Sequence, residues 1–256
     1  MSEAAGVQLI PLPGLPMFQA GDDLARILGD VLAAAVLPRD GDVLVIAQKI
    51  VSKVEGRMVD LACVTPSARA VALGAEIDKD ARLVEVILGE STRVVRSRPN
   101  LMIMQHRLGF VMANAGVDQS NVAPEDGVER ALLLPADPDG SAEGLRAALS
   151  ARFGVKLAVI INDSFGRAWR RGTCGVAIGA AGLPSLVDLR GQPDLFGREL
   201  HVTVVGHADE IAAAASLVMG QAREGQPAVL VRGLTWDAPD GPASDLARPA
   251  DEDLFR

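Results

Sequence analysis

The sequence predicts one chain of mixed α-helices and β-strands, and three observations carry that expectation. Apolar runs at 43–47, 155–161 and 228–231 are short and rich in β-branched residues, as buried strands are. Around them lie amphipathic patterns of helical period. One follows Asp22 or Asp23, with Leu24, Ile27, Leu28, Val31 and Leu32 on one face. Another runs over 209–219, with Ile211, Ala214, Ala215 and Val218 inward. Finally, 49% hydrophobic and 23% charged residues over 256 positions is ordinary globular composition, enough to bury a core as one large domain or two small ones.

The bulk properties also exclude. A formal charge of −8 argues against a nucleic-acid binder, because neutralising phosphates needs a basic surface. Tyrosine is absent and aromatics make up 3%, too few for base-stacking platforms. Cys63 and Cys174 form no CxxC pattern, and a reduced cytoplasmic setting is expected. The N-terminus lacks a basic region and soon reaches Pro11, Pro13 and Pro16, so no signal peptide is read there. No apolar run approaches the roughly 20 residues of a membrane span. A soluble protein follows.

Taken in order, 7–12 is a strand candidate that exits into Pro13-Gly14-Leu15-Pro16, where prolines impose an extended loop. The first helix is expected to end before Pro38, and Asp40-Gly41-Asp42 turns the chain into the strand at 43–47. Gln48, Lys49, Ser52 and Lys53 follow directly. On a helical turn Lys49 and Lys53 share a face, which suits an anion, although the P-loop spacing is missing and a solvated face is the better account of the pair taken alone. Residues 66–89 read as helical, interrupted near Gly74 and restarted by Asp78. Strands are expected at 94–98 and 100–105, then a turn at 106–109, where His106 reads as structural. Asn114, Gly116, Asp118 and Asn121 form an amide-and-carboxylate cluster beyond the apolar segment 110–113; an Asx-rich loop is the plainer account of it. Ser141 is expected to cap a helix ending at Gly154. The Gly/Ala-rich stretch 172–182 predicts close backbone packing. Strands are expected at 183–189 and 200–205, around a turn at 191–194. The segment from Trp236 is rich in Pro, Ala and Asp and is expected to be disordered or loosely docked.

The richest stretch is 159–172. A buried strand delivers Asn162, Asp163 and Ser164 in succession, oxygen donors that suit a hard cation such as Mg²⁺. Gly166 then frees the backbone, and Arg167, Arg170 and Arg171 surround Trp169. Guanidinium forks suit phosphate or carboxylate. Together these residues predict an anionic ligand complexed with metal, and the clusters around Asp118 and Asp163 could share one or two divalent ions.

Five motifs in order then carry a resemblance: 13–16; 48–49 with 52–57; 115–121; 162–170; and the loop 220–227. Over about 7–234 the chain resembles the coenzyme F-420: L-glutamate ligase (γ-glutamyl ligase) family. The resemblance implies an α+β fold of two interlocked subdomains in a butterfly-like homodimer, spanning 1–234 here, with 235–256 an acidic Pro/Ala-rich tail. It implies a GTP-dependent ligase that joins L-glutamate to the terminal carboxylate of a deazaflavin precursor through an acyl phosphate, with further γ-linked glutamates as an extension. Asp118 and Asp163 are implied as ligands of one divalent ion, Mg²⁺ or Mn²⁺. Ser164, where the family more often has Thr, and Gln221 are implied for a second; K⁺ is a further candidate ion. Pro13, Gly14, Leu15, Pro16, Gln48, Lys49, Lys53, Asn121, Gly220, Gln221, Glu224 and Gly225 are implied around GTP. Lys53, Asp118 and Asp163 are the catalytic candidates, and Arg167 and Arg170 the candidates for substrate phosphate. Ala222-Arg223 departs from the Gly-acidic pair of the family. Two alternatives stand beside this reading: another nucleotide-dependent carboxylate–amine ligase, and a non-catalytic nucleotide- or deazaflavin-binding protein.

Overall fold

Five strands form the central sheet, in the order β1 (Gln8–Pro11), β12 (Ala228–Arg232), β2 (Val43–Ala47), β8 (Ala158–Gly166), β9 (Thr173–Ala181). The structure is a computed structural model and describes residues 6–120, 127–249 and 251–254. All neighbours pair antiparallel except β2 and β8, which run parallel with Ala47 beside Asn162. Both faces are covered, so the middle strands read as unbroken apolar runs. Leu44, Ile46, Val159 and Ile161 pack toward α1 (Leu24–Ala35) and α5 (Pro138–Phe153). Val43, Val45, Ala158 and Ile160 pack toward α6 (His207–Met219). Pro11 is tolerated because β1 is an edge.

The other edge, β9, explains the Gly/Ala-rich stretch. A Cβ on Gly175 would lie 2.5 Å from the Ala212 carbonyl oxygen of α6, so only glycine lets helix and strand approach so closely. Free edge N–H groups are covered by carboxylates. Ala177 N–H donates to Asp209 and Ala180 N–H to Asp139, each at 2.9 Å.

Between β2 and β8 the chain builds a further core. The turn after α2 (Gln48–Val54) leads to β3 (Met58–Asp60), which pairs with β7 (Arg130–Leu132). Helices α3 (Ala68–Ile77) and α4 (Ala81–Gly89) pack with the three-stranded sheet β4 (Ser91–Arg98), β5 (Leu101–His106), β6 (Val111–Ala113) around Ile77, Val84, Ile87, Met102 and Met104. The expected break at Gly74 is corrected. Gly74 lies inside α3, where a side chain would meet the Lys79 carbonyl oxygen at 2.7 Å. Asp78 ends that helix in the left-handed conformation, and Asp80 caps the next through Arg82 N–H. Likewise α5 begins at Pro138 rather than Ser141, capped by Asp137, because proline at a first helical turn needs no N–H partner. The expected strands at 183–189 and 200–205 shorten to β10 (Val187–Asp188) and β11 (Val204–Val205), a two-stranded arm.

His106 is fully buried, 3.4 Å from Glu90, which also pairs with Arg57 (3.0 Å) and Arg107 (3.2 Å). Its Nδ1 accepts the Leu108 N–H, which leaves the proton on Nε2, facing Glu90. The attraction of His106 and then of both arginines outweighs burial and holds the Glu90 carboxyl down at about 2.

Of the two states expected for the segment beyond Leu234, disordered or loosely docked, the structure shows docking. Trp236 and Leu246 pack on the α6 side of the sheet, and Ala243 is fully buried. Trp236 meets the His207 ring edge to face at 5.9 Å. Asp139 accepts the N–H groups of Ala243 and Ser244. Asp-rich composition did not prevent docking because a few apolar residues pack on the α6 side of the sheet.

Candidate functional site

Two parallel strands that lie side by side end at the same edge of the sheet, and ligands of such sheets bind beyond their carboxyl ends. Here β2 runs directly into α2, presenting Gln48 and Lys49, while β8 continues into Asp163 and Ser164. A cavity of about 410 Å³ opens at this edge. Residues 15–18, 47–50, 53, 162–164 and 219–227 line it. The ladder between β8 and β9 shifts register after Ile161, immediately before the polar residues begin. Such a bulge bends a strand and re-aims its side chains, and here it separates structural from site residues.

The chain approaches Asp118 through a strained turn. Asn114, Ala115 and Gly116 have consecutive φ of 51°, 52° and 70°, left-handed values that L-residues with a Cβ adopt at a cost. Asp118 then pairs with Leu132, fixing its backbone. Its carboxylate accepts Ser120 N–H at 2.7 Å and Ser120 Oγ–H at 2.8 Å, an Asx-type turn. Lys49 Nζ lies 2.6 Å from Asp118 Oδ2 and donates to Ser120 Oγ at 2.6 Å. The Asx-rich loop expected here is therefore present, and Lys49 ties it to the start of α2. Burial opposes ionisation of Asp118, but the hydrogen bonds from Lys49 and Ser120 prevail and hold its carboxyl below the ordinary value.

Asp163 behaves oppositely. Burial pushes its carboxyl up to about 6, and the negative charge of Asp118 adds to the rise. Ser164 N–H (2.7 Å), Lys49 and the Gln48 side chain pull it back in part. Two carboxylates distant in sequence thus sense each other's charge, and Lys49 senses both. Beside them Ser164 Oγ donates to Gln221 Oε1 at 2.7 Å. Lys53 follows Lys49 by one helical turn; burial and then the Lys49 charge lower its pKa.

All but one of the predicted positions can now be placed. Leu15, Pro16, Gln48, Lys49, Lys53, Asp163, Ser164, Gly220, Gln221, Glu224 and Gly225 line the cavity. Asp118 joins it through Lys49. Pro13 and Gly14 lie outside the lining. Asn121 lies outside the described residues. Arg167 and Arg170 are exposed beyond the end of β8. Sequence reasoning passed over Ser120, which bridges Lys49 and Asp118; the Asp-x-Ser spacing of an Asx turn was the available signal. It also assigned nothing to Gln226, whose buried Oε1 has no hydrogen-bond partner among the described residues, as is true of Asn162 Oδ1.

The donor set bears on a metal. Among the described residues no three His, Cys, Asp or Glu side chains cluster as a metal centre. The residues nevertheless fit a hard cation, because the donors are all oxygen: two carboxylates, a hydroxyl and an amide carbonyl. A carboxyl held near 6 by burial and a like charge is one that a cation would stabilise.

Comparison with known proteins shows the family. The family model described as F420-0:Gamma-glutamyl ligase matches residues 14–233. The chain is 47% identical over 254 residues to the coenzyme F420:L-glutamate ligase of Methanothermobacter thermautotrophicus, covering 98% of this chain and 99% of that one. It is 41% identical to the protein of that name from Methanocaldococcus jannaschii, over all of this chain and 99% of the other. Against that from Archaeoglobus fulgidus the identity is 44%, covering 98% and 96% respectively. With the site built on these same motifs, the chain belongs to the F420-0:gamma-glutamyl ligase family.

Proposed function

We propose that this protein joins L-glutamate to the terminal carboxylate of a deazaflavin precursor of coenzyme F420, using GTP, and acts as a homodimer in the cytoplasm. The observation that carries the reading is the convergence of Asp163, Ser164 and Gln221 on a cavity that Lys49 and Lys53 also line, with Asp118 held beside it by its ion pair to Lys49. A carboxylate is a poor acyl donor because oxide is a poor leaving group. Transfer of the GTP γ-phosphoryl to it gives an acyl phosphate and GDP. The glutamate amine then attacks the acyl carbon, phosphate leaves, and the amine gives up a proton as the amide forms. Phosphoryl transfer asks the protein mainly for positioning and charge neutralisation.

The chain's own groups supply both. Lys49 and Lys53 on one face of α2 offer cations to the phosphates, balancing a protein of net charge −8. Main-chain N–H groups of the loop around Gly220 and Gly225, both at positive φ, suit close approach of a nucleotide. Asp118, Asp163, Ser164 and Gln221 would hold divalent cations, which when bound screen the phosphates and polarise the acceptor carboxylate. For the dimer, the support is apolar exposure on the arm of β10 and β11: Leu195, Phe196 and Val202 are at least 86% exposed.

The test is incubation of the purified protein with GTP, Mg²⁺ or Mn²⁺, glutamate and precursor, followed by product masses. A mass gain of one glutamyl residue, with GDP and phosphate released only when all components are present, is expected. GTP turnover without a glutamyl product would instead indicate another carboxylate acceptor, and precursor binding without turnover a non-catalytic protein.

A further inference from the structure

The two carboxylates of the site stand on different cores. Asp163 lies on β8 of the central sheet. Asp118 instead follows Ala115 and Val117, which pack into the further core with Met102 and Met104. Lys49 spans the gap from α2, whose Ile50 and Val51 belong to the core shared with α1 and α5. An ammonium on a flexible stem follows its partner and fixes no spacing. A stiffer connection has to set the distance between the carboxylates.

That connection is at Arg57, which leads from the turn after α2 into β3. The chain crosses between the cores at two adjacent residues, with Leu133 packed into the further core and Leu134 into the one beneath α1 and α5. Arg57 grips both. Its carbonyl accepts Leu133 N–H at 3.0 Å, and its Nε donates to the Leu134 carbonyl at 3.0 Å. Glu90 holds the guanidinium from the other side, 3.0 Å from Nη2. The Arg57 N–H returns to the Ser52 carbonyl of α2 at 2.9 Å. A planar guanidinium fixes the direction of both side-chain contacts at once.

Leu134, so held, reaches the turn that delivers Asp118. A Cβ on Gly116 would fall 2.8 Å from Leu134 Cγ, so the leucine closes directly against the left-handed turn 114–116. Next along the chain, Leu132 exchanges both backbone hydrogen bonds with Asp118, at 3.0 and 2.8 Å. A run of left-handed residues persists only where its surroundings over-determine it. Here those surroundings are Leu132 and Leu134, with Arg57 behind them. Arg57 itself does not line the cavity.

We infer that Arg57 is a positioning residue: by clamping the crossing at Leu133 and Leu134 it holds the turn 114–118 in register with α2, and so sets the spacing of Asp118 from Lys49 and Asp163. The effect on turnover rests on the proposed ligase reading; the effect on the turn does not. A lysine at 57 keeps a charge beside Glu90 but cannot also hold the Leu134 carbonyl in a fixed plane. Asp118 is then free to shift, and small misplacements of groups that position reactants are costly in rate.

The test separates positioning from stability. Wild type, Arg57→Lys and Glu90→Gln are compared by amide hydrogen exchange, by Mn²⁺ binding in calorimetry and by steady-state kinetics, at a temperature where all are folded. Arg57→Lys should speed exchange of the Val117, Asp118 and Leu132 amides and weaken Mn²⁺, each by about tenfold, on the scale of one lost charge-assisted hydrogen bond. It should lower kcat by about 10–100-fold and leave the KM for glutamate near wild type. Glu90→Gln keeps an acceptor for Arg57 and leaves the Leu134 contact in place. It should melt lower, with those amides, Mn²⁺ affinity and kcat near wild type. Leu134→Val withdraws methyls from Gly116 and tests the same route if Arg57→Lys folds poorly; it too should speed exchange at Val117 and Asp118. Unchanged exchange at these amides in either variant overturns the proposal. Equal losses in Glu90→Gln also overturn it, since Arg57 would then act on stability alone. If the wild type forms no glutamyl product while Arg57→Lys frees the turn and weakens Mn²⁺, the ligase reading fails and the positioning role stands. If the wild type ligates and Arg57→Lys ligates as fast, only the positioning role fails.

Discussion

Lys49 Nζ lies 2.6 Å from Asp118 Oδ2, so the first cation on α2 neutralises the carboxylate of a loop that follows β6. This ammonium sits where the charge of Asp163 is also felt. It stands in for the positive charge that both carboxylates require. Replacing it with a neutral side chain should therefore affect the resting site as well as the nucleotide. Lys49→Gln is expected to raise the KM for GTP by about tenfold, on the scale of one lost charge-assisted contact. Steady-state kinetics at saturating glutamate and precursor would check this.

Asp163→Asn should separate activity from stability. A carboxyl whose folded pKa lies above its unfolded value favours the fold when protonated. That stabilisation is complete below 3.8 and is lost as pH rises through about 6. At pH 7.5 the ionised group costs on the order of 1 kcal/mol, discounting the full shift because the residue is partly exposed. The variant should melt about 2–4 °C higher than wild type at pH 7.5 without ligands, with the difference vanishing near pH 4. Its ligation should fall by a factor of about 10² or more. Near-normal turnover in the folded variant would sink the role given to Asp163.

Ser164→Ala and Ser164→Thr should diverge. Both remain compatible with a strand, and the residue opposite is Gly175, which has no side chain to meet the extra methyl. Alanine removes the hydroxyl that bonds Gln221. The Mg²⁺ or Mn²⁺ concentration giving half-maximal rate should rise about 10–100-fold in the alanine variant and stay near wild type in the threonine variant. Metal titrations of the two rates decide it.

The cluster of Glu90 with His106, Arg57 and Arg107 predicts an acid limit. Its folded pKa of about 2 lies below the ordinary 4.5, so its stabilisation is present above 4.5 and is lost as pH falls toward 2. Glu90→Gln leaves two arginines without their carboxylate and should cost about 2–3 kcal/mol at neutral pH. It should also flatten the pH dependence of urea midpoints between pH 4.5 and 3. Parallel curves for variant and wild type would assign the acid transition elsewhere.

Truncation after Thr235 tests the docked segment. If the segment were disordered, such a chain would fold and ligate unchanged. The structure favours the opposite, because the cut exposes the surface beneath Trp236, Ala243 and Leu246 and strips Asp139 of two hydrogen bonds. The melting temperature should drop by more than about 4 °C, roughly 1 kcal/mol or more for a chain of this size. An unchanged melting curve would show that the contacts contribute nothing.

The sequence by itself determined the elements whose cause is local. The buried strands β2, β8 and β12 were legible because a sheet covered on both faces demands unbroken β-branched runs. Helix α1 was legible from its apolar stripe and the cap at Asp23. The polar residues at the end of β8 were equally plain, since Asn162, Asp163 and Ser164 interrupt such a run. Where a boundary depended on contacts across the fold, local reading failed. Gly74 looked like a helix break and is a close-packing point, and composition beyond Trp236 left disorder and loose docking equally open where apolar contacts with the α6 side decide for docking. Only the tertiary structure decided what chemistry the polar residues can share. Parallel pairing of β2 with β8 sets Lys49 beside Asp163, the left-handed turn at 114–116 leads to Asp118, and α6 delivers Gln221 to Ser164. None of these proximities is written in spacing along the chain. Each follows from which strands pair and which faces are buried, and that is settled by the whole core at once.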